Sequence, residues 1–258
     1  MSIFNRNFNK PGPGVPKDAP QKKGIKLFLR VMSEDAGDLF KLNVLFSALT
    51  LPSLCAYLLW LLGITGILSL VLSIILAIPV GGALASCFFC IAKMLRDEPG
   101  DVTYDFKRKF KENIKQAAIP GMLYAAFIYA QIYQTSLIAS GAISIDAFML
   151  AVIVLTPLLV GMLMQYIFLQ IAHIELKVTH MFSNSILLLL SNIPRSIMGT
   201  VTGGIVYIAF IIFYPQSLFI IPAILLFYGF SLPWLLNLMW VWPVVDNKFS
   251  ISENLRKR

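Results

Sequence analysis

The run ILSLVLSIILAIPVGGALASCFFCIA, residues 67–92, decides the fold: it holds 26 residues and no charge. About 20 apolar residues carry a helix across the hydrocarbon of a bilayer, whereas a barrel strand alternates over about ten. Pro79, with Gly81 and Gly82 behind it, predicts a kink, and the backbone groups freed there need a neighbouring helix or water. Upstream, Gly63-Ile64-Thr65-Gly66 is short enough only for a hairpin with an apolar run at about 40–62. Downstream, further runs lie at about 117–140, 146–171, 195–214 and 218–241. The expected fold is an all-α polytopic membrane bundle of six transmembrane helices.

Composition points the same way. Of 258 residues 58% are hydrophobic and 13% charged, against roughly 25% charged in soluble domains. The 21 Lys and Arg residues fall in four groups: eight from Arg6 to Lys41, seven from Lys93 to Lys115, then Lys177 and Arg195, then four from Lys248 to Arg258. Every group falls on the same side of the six expected spans. The positive-inside rule therefore places both termini in the cytoplasm of a cell (inner) membrane. A net charge of +8 reads as bases held at an anionic inner leaflet, and no nucleic-acid partner is expected. Trp60, Trp240 and Trp242 mark span ends. Residues 1–24 form a basic, proline-rich cytoplasmic tail expected to be disordered, with no signal-peptide core. Residues 25–245 form one membrane domain, and 246–258 a second basic cytoplasmic tail.

Two cytoplasmic interfacial amphipathic helices are expected, at 101–116 and 179–192. In the first, Val102, Phe106, Phe110 and Asn113 recur at three- and four-residue steps, with Lys107, Arg108, Lys109 and Lys111 on the other faces. Phe106, Phe110 and Asn113 are candidates for docking a partner, and the four bases for inner-leaflet phosphates. A shorter amphipathic segment begins at Ile25. Phe110-Lys-Glu-Asn113-Ile-Lys-Gln116 aligns with Leu189-Leu-Ser-Asn192-Ile-Pro-Arg195, so 67–140 and 146–219 read as a parallel internal repeat.

Ionisable groups are absent from the centres of the expected spans, where each costs about 2.5–3.5 kcal/mol. Neutral amides remain: Gln131 and Gln134 on one face, Gln165, and also Asn43, Gln170 and Asn237. Gln131, Gln134 and Gln165 form a candidate intramembrane polar site for a neutral solute; hydrogen bonding between helices is the plainer role. Asp146 reads as a helix N-cap. Gly199, Gly203 and Gly204 read as a close-packing face. His173, Glu175, Lys177 and His180 read as a solvated interfacial cluster, and Cys87 and Cys90 as small apolar residues. No metal-binding, phosphate-binding or nucleophile motif occurs. No cofactor, metal or catalytic activity is expected.

Asp38-Leu-Phe-Lys-Leu42-Asn43, Leu51-Pro52, Pro79-Val-Gly-Gly-Ala83, Lys93-Met-Leu-Arg96-Asp97-Glu98, Asp105-Phe106-Lys-Arg-Lys-Phe110-Lys-Glu-Asn113-Ile-Lys-Gln-Ala117 and Asn192-Ile193-Pro194-Arg195 resemble the YesL-like bacterial membrane proteins, a domain of unknown function. The resemblance covers about 25–245. Members are small multispanning proteins, often encoded beside carbohydrate ABC-transport components. The resemblance implies an accessory role in carbohydrate uptake, with ABC transporter membrane subunits as partners. The alternative is a stand-alone transporter or channel for a small neutral solute.

Overall fold

The computed structural model describes residues 23–144, 146–174, 176–212 and 227–256, without the side chains of 206–212, 255 and 256. The proline-rich segment 1–22, the stretch 213–226 that holds the end of the fifth expected span and the start of the sixth, and residues 257 and 258 lie outside the described residues.

All regular elements among the described residues are helices: α1 Ile25–Glu34, α2 Ala36–Leu61, α3 Ile67–Ile75, α4 Ile78–Leu95, α5 Val102–Ala139, α6 Ala147–His173, α7 Val178–Ser191, α8 Ile193–Ile212, α9 Ser231–Phe249 and α10 Ile251–Arg256. Three stretches are long and apolar enough to cross a membrane: α2, α3 with α4 (Ile67–Leu95), and α6. Their outward faces are apolar as well. Leu51 and Leu58 of α2, Leu68 and Ile75 of α3, and Val154 and Leu159 of α6 are all exposed.

The expected kink at Pro79 is a break. α3 stops at Ile75 and α4 restarts at Ile78, with Pro79 in its first turn, where a missing N–H is harmless. The Ala77 N–H turns to the carbonyl of Ile74, and α2 supplies a donor for the carbonyl of Ser73, from Ser53 Oγ at 2.7 Å. A partner helix thus satisfies the backbone at the break.

Fourteen of the 18 residues of α4 are buried. Its run of Gly81, Gly82, Ala83, Ala85 and Ser86 lets α5 approach closely in antiparallel register. Gly81 meets Ala117 and Gly121, Gly82 meets Phe110 and Ile114, and Lys93 meets Asp105.

The structure departs from the expected elements at α5. The interfacial helix at 101–116 and the span at 117–140 are a single helix, α5, of 38 residues, about 57 Å long at 1.5 Å per residue. Nothing interrupts it. Gln116, Ala117 and Ala118 are sound helix formers, and Pro120 removes one backbone bond without ending the helix. Asp101 starts it, its carboxylate accepting the Tyr104 N–H at 2.9 Å.

The second half of the expected repeat is built differently. α6 runs unbroken from the Asp146 cap, whose carboxylate accepts the Met149 N–H at 2.7 Å, to His173. α7 stays separate from α8, because Asn192 between them leaves helical geometry with φ −137° and ψ 41°. α9 continues past Val241 to Phe249, so the tryptophans expected at a span end fall inside a helix. At the other edge, α2 begins at Ala36, so Asp38 lies in its first turn.

Candidate functional site at the corner of α1, α2, α4 and α5

The most highly charged corner lies where α1, α2, α4 and α5 meet. Arg30 of α1 has a side chain only 5% exposed and reaches Asp97 at 2.5 Å. Its Nη2 also donates to the carbonyl of Met94 at 2.6 Å, so it holds the end of α4. The buried Asp105 carboxylate takes two cations, Lys93 at 2.5 Å and Arg108 at 2.9 Å. Arg96 forks onto Glu98 at 2.7 and 2.9 Å and lies 4.8 Å over the Trp242 ring. Asp35, Asp38, Cys90, Lys93, Asp97 and Asp105 help to line a cavity of about 220 Å³ here.

Burial pushes the Asp35 carboxyl above its ordinary value; Arg30 opposes this, while Asp38, Glu34 and Asp97 add to it. Asp101 moves the other way, held low chiefly by the Tyr104 N–H. Asp38, Asp97, Glu98 and Asp105 each face a cation. Two of these pairs join separate elements: Arg30 of α1 to Asp97 past the end of α4, and Lys93 of α4 to Asp105 of α5.

The proposed docking residues divide. Lys107 and Lys111 are exposed, and the Arg108 side chain is 44% exposed. Lys109 pairs with Glu112 at 2.8 Å and lies over Phe89. Phe106 is only 2% exposed and Asn113 8%. Phe106 stacks on Phe110, centroids 6.2 Å apart, and Phe110 packs against Gly82. The aromatic face therefore covers α4, and Phe106 and Asn113 are not available to a partner. This corrects the docking expectation: periodicity finds an apolar face but does not say what covers it.

The amides expected within the spans do not converge either. Gln131 donates to Thr156 Oγ1 at 3.0 Å, and Gln134 to Met149 Sδ at 3.4 Å. Gln165 lies further along α6, past Thr156, by roughly 13 Å of helix. Its Oε1 accepts from Asn237 Nδ2 at 2.6 Å and from Thr200 Oγ1 at 3.4 Å. Gly199 and Gly203 of α8 admit α9 here, against Val241 and Pro233, whereas Gly204 has open space beside it. Asn43 Oδ1 accepts the Phe230 and Ser231 N–H groups at 2.8 and 3.3 Å, joining α2 to the start of α9.

Sequence reading missed a network of hydroxyls. Ser53 Oγ bonds to Tyr129 Oη, Tyr57 Oη donates to the Tyr129 carbonyl at 2.7 Å, and the two tyrosine rings stack 4.3 Å apart. Ser53 and Tyr57 are one helical turn apart, a spacing too common to serve as a signal.

His173 sits between Phe89 and Trp242, at 5.3 and 4.8 Å. Its Nδ1 donates to the Leu169 carbonyl at 3.0 Å. Glu175, expected beside it, lies outside the described residues. Among the described residues no group of three His, Cys, Asp or Glu side chains could hold a metal ion.

No family model, curated protein or solved structure matches the chain.

Proposed function

We propose that this chain is a non-enzymatic, six-span protein of the bacterial cell membrane, with both termini in the cytoplasm, acting as an accessory to carbohydrate uptake by an ABC-type transporter. α2, α3 with α4, and α6 supply three of the spans; the apolar part of α5, α8 and α9 would supply the others. The observation that carries the reading is how the polar side chains are used. The amides between the helices bond to neighbouring helices, while Lys107 and Lys111 stay exposed on α5. The bundle thus offers its chemistry at the inner surface, to anionic headgroups or to a transporter subunit. The transport system itself rests on the resemblance to YesL-like proteins. A solute pathway has less support, since it needs Gln131, Gln134 and Gln165 around one aqueous cavity, and they bond to different partners.

The test is purification in mild detergent with identification of co-eluting proteins, for the parent chain and for Lys107→Glu with Lys111→Glu. Recovery of ABC membrane subunits with the parent, and their loss with the variant, is the expected outcome. A parent that elutes alone counts against the accessory role.

A further inference from the structure

The exposed face of α7 changes character along its length. Thr179, Ser183, Ile186 and Leu190 follow one another at three- and four-residue steps on one side, flanked by His180 and Leu187. Thr179, His180 and Ser183 are exposed and polar. Ile186, Leu187 and Leu190 are apolar and 48, 64 and 59% exposed. A helix lying flat on a membrane would keep one character along each side, because every position on that side sits at one depth. Here the same side passes from polar to apolar.

The orientation of that side is set by the opposite one. Met181, Ser185 and Leu188 are buried. Gln170 Nε2 donates to Ser185 Oγ at 2.7 Å, and Gln116 of α5 donates to the Leu176 carbonyl just ahead of the helix. Beyond Asn192 the exposed apolar surface continues on α8 through Ile193, Met198, Val201 and Ile205.

We propose that α7 is a wedge crossing the inner water–lipid boundary between Ser183 and Ile186, its last two turns set among acyl chains of the inner leaflet. The occupant is lipid, because the patch is continuous with the outward face of α8, which leads on toward the outer side. Arg195, exposed in the first turn of α8, is long enough to return its charge to the phosphates. A connection between spans thus holds α7 partly inside the leaflet, with Gln116 and Gln170 as its anchors.

The proposal rests on the membrane reading above, and the test separates the two. Single cysteines replace Thr179, Ser183, Ile186, Leu187 or Leu190 in the full chain. Each variant is reconstituted at high lipid-to-protein ratio in phosphatidylcholine–phosphatidylglycerol vesicles. A sulfonated, impermeant maleimide is introduced on both sides by freeze–thaw, the parent's own cysteines giving the background. Lys107→Cys is the aqueous control, and Leu58→Cys of α2 the lipid control. Thr179→Cys and Ser183→Cys are expected to label as fast as Lys107→Cys. Cysteines at 186, 187 and 190 should label at least about tenfold more slowly, since the reactive thiolate is disfavoured in hydrocarbon. Fast labelling at all five positions with Leu58→Cys protected overturns the wedge alone; fast labelling at Leu58→Cys as well overturns the membrane reading. Protection at 186–190 that vanishes on dilution of the protein in lipid assigns the face to a second copy and also overturns the wedge.

Discussion

Gly81 and Gly121 face each other across the α4–α5 crossing, so closely that a Cβ built on Gly121 would lie 2.5 Å from the Gly81 Cα and one on Gly81 2.9 Å from the Gly121 Cα. The obstacles are backbone atoms of a facing helix, which cannot move aside as a flexible side chain would. Either Gly→Ala change should force α4 and α5 apart, at a cost of about 1–3 kcal/mol or more. Gly204→Ala is the matched control, because nothing lies within 4 Å of that Cβ. The measurement is the apparent Tm in mild detergent. Equal melting of all three variants would show that the crossing is looser than described.

Phe106 belongs to the core, and its neighbour Lys107 to the surface. Phe106→Ala should lower stability by about 3–5 kcal/mol, as large-to-small changes at buried aromatics do. Lys107→Ala and Lys111→Ala should leave the melting curve in place and act only on recovery of a co-eluting partner. The reverse pattern, with Phe106→Ala folding normally, would restore the aromatic face as a candidate docking surface.

Gln165 gathers Asn237, Thr200 and the Ser196 carbonyl, tying α6 to α8 and α9. Polar contacts between membrane helices average about 0.6 kcal/mol and reach about 1.7. Gln165→Leu and Asn237→Leu should each fall in that range, and the double variant should cost less than their sum because they share one bond. A double-mutant cycle on apparent Tm checks this; strict additivity would mean the bond contributes nothing.

Two carboxylates outside the spans predict opposite pH effects. The folded state disfavours the charged form of Asp35, so its ionisation opposes folding at neutral pH and ceases to do so as pH falls through the carboxylate range. Asp35→Asn should therefore raise stability at neutral pH, the gain fading on acidification. Asp101 is held low by its cap hydrogen bond, so its contribution is present above the ordinary carboxylate value and is lost as pH falls through the lowered one. Asp101→Ala should lower stability at neutral pH and flatten part of the acid response. Melting temperatures across the acid range test both signs.

Several features were legible locally. The cap at Asp146 was readable because a capping carboxylate acts on an N–H three residues away. The interruption near Pro79 was readable because proline removes a donor whatever surrounds it; that it is a break sealed by Ser53 depends on a helix 20 residues earlier. The join at Gln116–Ala117 was misread because a change from basic to apolar composition looks like a boundary, yet composition does not end a helix. The amides were grouped by chemical type, and the chain places Gln131 and Gln165 on different partners.

By itself the sequence determined the helical class and the apolar runs. These follow from the partition of each segment between water and hydrocarbon, which every residue reports independently of its neighbours in space. Only the tertiary structure decided that Phe106 faces α4, that Gly81 meets Gly121, and that one side of α7 runs from polar to apolar. Those outcomes depend on the shapes of helices far apart in the chain, and no local run of residues encodes which surface will cover another.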